Sequence, residues 1–170
     1  VLKHEVGDTP VTFPALARSW PHDLWPQHVP MDFLGKDGGG GIGSGPGLAV
    51  GAALALKGSG RLVIATLGDG DTLMGVTALW TAAKYALPVL FVIGNNRSYF
   101  NDELHQESVA KTRGRNPANA WVGQRLDSPA PDIAGMARAQ GVEADGPIKT
   151  IAELDQAIAS GVAALRDGRP

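Results

Sequence analysis

Cysteine is absent from the 170 residues. Disulfides and thiolate metal sites are thereby excluded, which accords with a reducing cytoplasm. An excess of either charge is missing too. Fifteen Lys and Arg stand against 17 Asp and Glu, a formal charge of −2, and no basic cluster interleaves with aromatics, so the electrostatic footprint of a nucleic-acid binder is lacking. No apolar run reaches the length of a membrane span, the segment Val1 to Glu5 does not read as a signal peptide, and no internal repeat is visible. What the chain does have is a 44% hydrophobic composition. At this length that suffices for one two-faced α/β core, and residues 1–170 are expected to form a single domain.

Two apolar runs, Arg61 to Leu67 and Pro88 to Gly94, read as buried parallel strands. Leu73 to Ala86, between them, is apolar at helical spacing and predicts a crossover helix. A right-handed crossover sets its two strands beside one another, so the residues after each strand emerge at the same carboxyl edge, where α/β proteins bind ligands. Gly68-Asp69-Gly70 comes directly after the first run, and Asn95-Asn96 directly after the second. A carboxylate and an amide oxygen brought together there suit a hard cation. Magnesium takes few protein ligands at about 2.1 Å and is usually completed by water and phosphate oxygens, so a phosphorylated cofactor is implied. Gly70 permits close backbone approach to an anion, and a helix beginning near Asp71 or Thr72 would aim free N–H groups at it.

The triplet Gly68-Asp69-Gly70 followed by Asn95-Asn96, with Asp69 and Asn96 27 positions apart, resembles the thiamine diphosphate-binding motif of the thiamine-dependent decarboxylase and acetolactate synthase family. Leu79 to Ala83 and Leu87 to Ile93 are similar to the same stretch of the benzoylformate decarboxylase-like members, and Gly39 to Gly43 to their glycine-rich segment beneath the cofactor. The resemblance implies magnesium ligation by the side chains of Asp69 and Asn96 and by the main-chain carbonyl of Ser98. It implies cofactor contacts from Gly68, Gly70, Asp71, Ser98 and Tyr99, with Asp71 alternatively capping the helix. Ile42 falls where a bulky apolar residue bends the cofactor, and Gly40 where a carbonyl accepts from the pyrimidine amino group. The implied activity is decarboxylation of a 2-keto acid or acetolactate synthase-like carboligation.

In such enzymes the acid that activates the pyrimidine ring lies on a separate pyrimidine-binding domain, often of a partner subunit. The resemblance thus implies a homodimer or homotetramer, and a chain that is inactive alone, either as the C-terminal part of a three-domain enzyme or as a natural small subunit whose partner supplies the pyrimidine domain. The implied fold is a mostly parallel sheet with helices on both faces, lacking its last strand, because the helix at Ile151 to Leu165 is followed only by a turn at Gly168 to Pro170. Two other readings stay open: a noncatalytic cofactor-binding or regulatory module, and a magnesium-dependent phosphoryl-transfer enzyme or hydrolase using Asp69.

Elsewhere, alternation predicts a first strand at Leu2 to Val6, then a helix from Asp8 through Trp20 and a second strand at Met31 to Leu34, and the resemblance implies that the turn after the first strand, at Gly7, touches the diphosphate. Helices are predicted over Gly43 to Leu56, Glu103 to Lys111 and Asp132 to Gln140, and a strand at Val142 to Ala144. Trp80 and Tyr85 read as core or interface residues. His4, His22, His28 and His105 share no ligand spacing and read as surface or satisfied histidines, with a substrate-facing role an alternative only for His105, after the metal motif.

Overall fold

The computed structural model describes residues 1–18, 20–35 and 41–170. Strands β1 (Val11–Thr12), β2 (Leu62–Gly68) and β3 (Leu90–Gly94) form a parallel sheet in the order β1-β2-β3. The register pairs Val11 with Leu62 and Gly68 with Gly94, so β2 and β3 end side by side. This is the α/β fold the sequence predicts.

Alternation along β2 divides the core. Leu62 and Ile64 pack with Val6, Val11, Ile158 and Val162, whereas Val63, Ala65 and Leu67 pack with Ala49, Ala53 and Ala82. The first face is covered by α1 (Leu2–Val6) and α7 (Ile151–Arg166), the second by α2 (Gly45–Ala55) and α4 (Ala78–Lys84). Small residues on α2 let it lie close to β2. Thr150 and Glu153 close a reciprocal capping box at the start of α7.

The N-terminal expectations are corrected. Leu2–Val6 is a helix, not a strand. It packs on α7, and the Arg166 guanidinium donates to the carbonyls of Glu5 and Val6 at its end. The helix predicted from Asp8 through Trp20 does not form, because Val11, Thr12 and Phe13, β-branched or aromatic and set between Pro10 and Pro14, are drawn into pairing. Val11 and Thr12 join β2, and Phe13 bridges Phe33 in parallel. Only that bridge remains of the strand expected at Met31 to Leu34. Arg61 straps this region together, its guanidinium donating to Thr12 Oγ1 at 2.7 Å, to the carbonyls of Val11 and Met31, and to Asp32 Oδ1 at 2.7 Å. Phe13, Trp20 and Trp25 form an aromatic cluster, with 4.7 Å between the centroids of the first two.

The crossover is two helices rather than one, α3 (Asp69–Gly75) and α4. Between them the backbone tightens to three-residue turns, Leu79 and Trp80 N–H donating to the carbonyls of Val76 and Thr77. Trp80 and Tyr85 are more than half exposed, so neither belongs to the core, and the Lys84 ammonium lies over both rings. Downstream come α5 (Phe100–Thr112) and α6 (Ile133–Ala139). Val142 to Ala144 is not a strand. Val142 N–H instead donates to Ala137 at the end of α6, and its side chain packs on Leu79. Among the described residues no helix is long and apolar enough to cross a membrane.

Candidate cofactor and metal site

Asp69 leaves β2 as the first residue of α3 and is only 3% exposed. Its Oδ1 accepts from Gly70 N–H at 2.9 Å and its Oδ2 from Ser98 N–H at 3.2 Å. The same Ser98 N–H reaches Asn96 Oδ1 at 3.0 Å. One backbone donor after β3 therefore gathers the two oxygens that the sequence places at this edge. Asn96 is exposed, so the pair has a buried carboxylate at its base and an open amide at its rim.

The loop carrying Asn96 and Ser98 is held from behind. Tyr99 N–H donates to the Gln124 carbonyl at 2.9 Å and Leu126 N–H to that of Arg97 at 2.7 Å, an antiparallel bridge between Ser98 and Arg125. The Ser98 hydroxyl donates to Glu103 Oε1 on α5, and Arg125 Nε stands 3.8 Å from the same oxygen. Among the described residues no hydrogen bond ends on the main-chain carbonyl of Ser98. A cavity of about 330 Å³ lies against this loop, lined by Asn96, Ser98, Phe100, Glu103 and Arg125 among others.

A buried carboxylate is costly unless a cation or several donors meet its charge. Among the described residues Asp69 has two N–H donors and no ion pair. Carboxylate, amide and carbonyl oxygens are the hard donors magnesium takes, and three of them leave positions for water and phosphate. The residues present fit that ion.

The remaining predicted residues sort differently. Gly40 lies outside the described residues. Ile42 is 51% exposed, an apolar side chain presented to solvent. Gly68 ends β2, and its carbonyl accepts from Thr72 Oγ1 at 2.8 Å. Gly70 needs its lack of a side chain because of a neighbouring ring: a methyl group there would fall 2.1 Å from Cε1 of Tyr99, whose ring covers it. The Asp71 carboxylate is bound to the N–H groups of Gly43 and Gly45, so its side chain is engaged by protein. Gly7 has positive φ before β1 and lines a separate cavity with Thr9, His28 and Asp32. His105 is exposed on α5. Sequence reasoning missed Thr72, Glu103 and Gln124. Glu103 stands five positions after Ser98 on a helix without apolar periodicity, and nothing in the local pattern marks it.

The family described as "Thiamine pyrophosphate enzyme, C-terminal TPP binding domain" matches residues 16–169. The chain is 38% identical over 110 residues to benzoylformate decarboxylase of Pseudomonas aeruginosa, covering 62% of this chain and 18% of that protein. It is 32% identical over 126 residues to the acetolactate synthase large subunit of Parasynechococcus marenigrum, covering 72% and 19%. Its fold superposes on the crystal structure of benzoylformate decarboxylase from Polynucleobacter necessarius with a TM-score of 0.76 at 25% identity, over 96% of this chain and 30% of that one. The chain thus spans about a fifth of the length of these curated relatives.

Proposed function

The chain belongs to the thiamine pyrophosphate enzyme family as its C-terminal TPP binding domain, and from that premise we propose that Asp69, Asn96 and the Ser98 carbonyl hold a magnesium ion that anchors the cofactor's diphosphate, within a 2-keto acid decarboxylase or an acetolactate synthase-like carboligase. The observation that carries the reading is the buried Asp69 carboxylate, without an ion pair among the described residues and sharing the Ser98 N–H with the Asn96 oxygen. The chemistry supplied by thiamine diphosphate when bound is addition to a 2-keto acid carbonyl and uptake of the electron pair left by carbon dioxide.

This chain's residues bind and position. Asp69 and Asn96 would hold the ion whose charge offsets the diphosphate, Gly68 and Gly70 would offer backbone there, and the Tyr99 ring packs on Gly70 in the first turn of α3. Ile42 would support the thiazolium end from the glycine-rich loop, and Gly40, outside the described residues, would supply the carbonyl acceptor for the pyrimidine amino group that the family resemblance implies. The pyrimidine-binding domain comes from elsewhere in the same polypeptide or from a second copy, so residues 1–170 form one domain of a larger oligomeric enzyme and are inactive by themselves. Relatives named for benzoylformate decarboxylation and acetolactate synthesis support a small 2-keto acid as substrate.

Asp69→Ala in the full-length protein tests the reading. Magnesium-dependent binding of thiamine diphosphate, followed by calorimetry, should be lost while the circular dichroism of the fold persists. Unchanged binding would reject the metal assignment.

A further inference from the structure

Asp71 carries a carboxylate to which the metal reading gives no task. It stands in the first turn of α3, two residues past Asp69, and its Oδ1 accepts from the main-chain N–H of Gly43 at 2.5 Å and of Gly45 at 3.3 Å. Those two amides belong to the glycine-rich loop and the start of α2, 28 and 26 positions earlier.

Packing around that contact is as close as backbones allow. A methyl group on Gly45 would fall 2.1 Å from Asp71 Oδ2 and 2.6 Å from Cδ2 of Leu67. On Gly75 it would fall 2.6 Å from the Gly43 carbonyl oxygen, and on Gly43, where φ is +100°, 2.9 Å from Cβ of Met74. Glycine at these positions lets the loop lie directly against α3, and one carboxylate bonds the two. The residue next to Gly43 is Ile42, whose exposed side chain has little packing of its own to hold it. The position of Ile42 is therefore set by its backbone, and among the described residues the nearest bond fixing that backbone is the one from Gly43 to Asp71.

We infer that Asp71 is a positioning residue, a latch that fixes the Gly41–Gly45 loop to the metal-bearing turn so that Ile42 and Asp69 keep a set spacing. The consequence for catalysis rests on the magnesium–thiamine diphosphate reading, but the latch itself is a property of the protein without cofactor. Pre-set spacing matters because misplacement by about 1 Å can slow a positioned reaction roughly a hundredfold.

The test uses the full-length enzyme in two states. Without cofactor, amide hydrogen exchange in the segment 41–49 should rise about tenfold or more in Asp71→Ala, as expected when a local closing contact is lost. It should rise similarly in Gly45→Ala, which presses on the carboxylate from the other side, and stay near wild type in Asp71→Asn, whose amide oxygen still accepts. With magnesium and thiamine diphosphate, Asp71→Ala should keep metal-dependent binding, because Asp69 and Asn96 remain. It should slow exchange of the thiazolium proton about tenfold or more, and Asp71→Asn should restore it.

Unchanged loop exchange in both Asp71→Ala and Gly45→Ala would overturn the latch, as would loop opening with no effect on thiazolium exchange. Failure of Asp71→Asn to restore either readout would assign the effect to charge and equally overturn it. Should Asp71→Ala not fold, Gly45→Ala alone decides. If the wild-type protein bound no cofactor with magnesium, the functional reading would fall, while loop exchange would still decide the latch.

Discussion

At Ser98 three segments meet: β3 through Asn96, α5 through Glu103, and the segment 124–126 through its backbone. Glu103 accepts from the Ser98 hydroxyl and bears on the Ser98 backbone only indirectly. Groups that orient metal ligands from behind typically govern about 10–100-fold in metal affinity. Glu103→Ala should accordingly weaken manganese binding at the metal site proposed for Asp69, Asn96 and Ser98 by about tenfold, read by paramagnetic titration of the full-length protein, whereas Glu103→Gln, still able to accept, should largely preserve it. Gly70 is a second residue whose role is set by a neighbour. Its missing side chain leaves room for the Tyr99 ring, so Gly70→Ala should destabilise the fold by about 1–3 kcal/mol through overpacking. In a double-mutant cycle most of that loss should vanish when Tyr99→Ala opens the space; an additive cycle in denaturant unfolding would show that the ring is not the obstacle. Gly70 was legible as a glycine that something must approach closely, but the partner was not, since anion and ring leave the same mark on the sequence.

Among the elements, β2 and β3 were legible because their apolar runs are unbroken and each ends in glycine and an oxygen-bearing side chain. Element β1 was not. A two-residue strand has no periodicity of its own, and Val11 and Thr12 are strand only because β2 pairs with them and Arg61, about fifty positions on, binds the Val11 carbonyl and the Thr12 hydroxyl. The strap also reaches Asp32, whose carboxyl is held below the usual carboxylate range first by the His28 N–H and then by Arg61. A carboxyl that releases its proton more readily when folded adds stability above its unfolded value near 3.8. That contribution is lost as pH falls through the lower folded value. Urea unfolding at pH 6 and at pH 3 should therefore show wild type losing more stability than Asp32→Asn over that interval, and parallel losses would discount the strap. On the opposite side of β2 from Ala65, Ile64 is fully buried, and Ile64→Ala should cost about 2–5 kcal/mol by the cavity it leaves.

For the molecule as a whole, the carboxyl edge of the sheet offers one end of a binding site. Its described polar groups, the Asp69 carboxylate and the Asn96 amide oxygen, converge on the Ser98 N–H, while Ile42 is half exposed. Ligand pockets typically bury about 70–90% of the ligand, and an Ile42 side chain 51% exposed leaves apolar surface at this edge that a second domain could cover. The meeting of Asp69 and Asn96 was legible from sequence because they come after two adjacent strands, but the contact of Asp71 with Gly43 was not, because a hydrogen bond across 28 positions has no local signature. If the remaining enclosure comes from another domain, residues 1–170 produced alone should recognise the diphosphate and little else. Magnesium pyrophosphate and magnesium thiamine diphosphate should then bind the isolated chain with affinities within a few-fold of each other. The full-length enzyme should prefer the cofactor by about a hundredfold or more, equivalent to about 2.7 kcal/mol. Competition calorimetry on both proteins measures the two ratios directly. A hundredfold preference already present in residues 1–170 would mean that this domain grips the organic part of the cofactor itself, and that the division of the site between two domains is wrong.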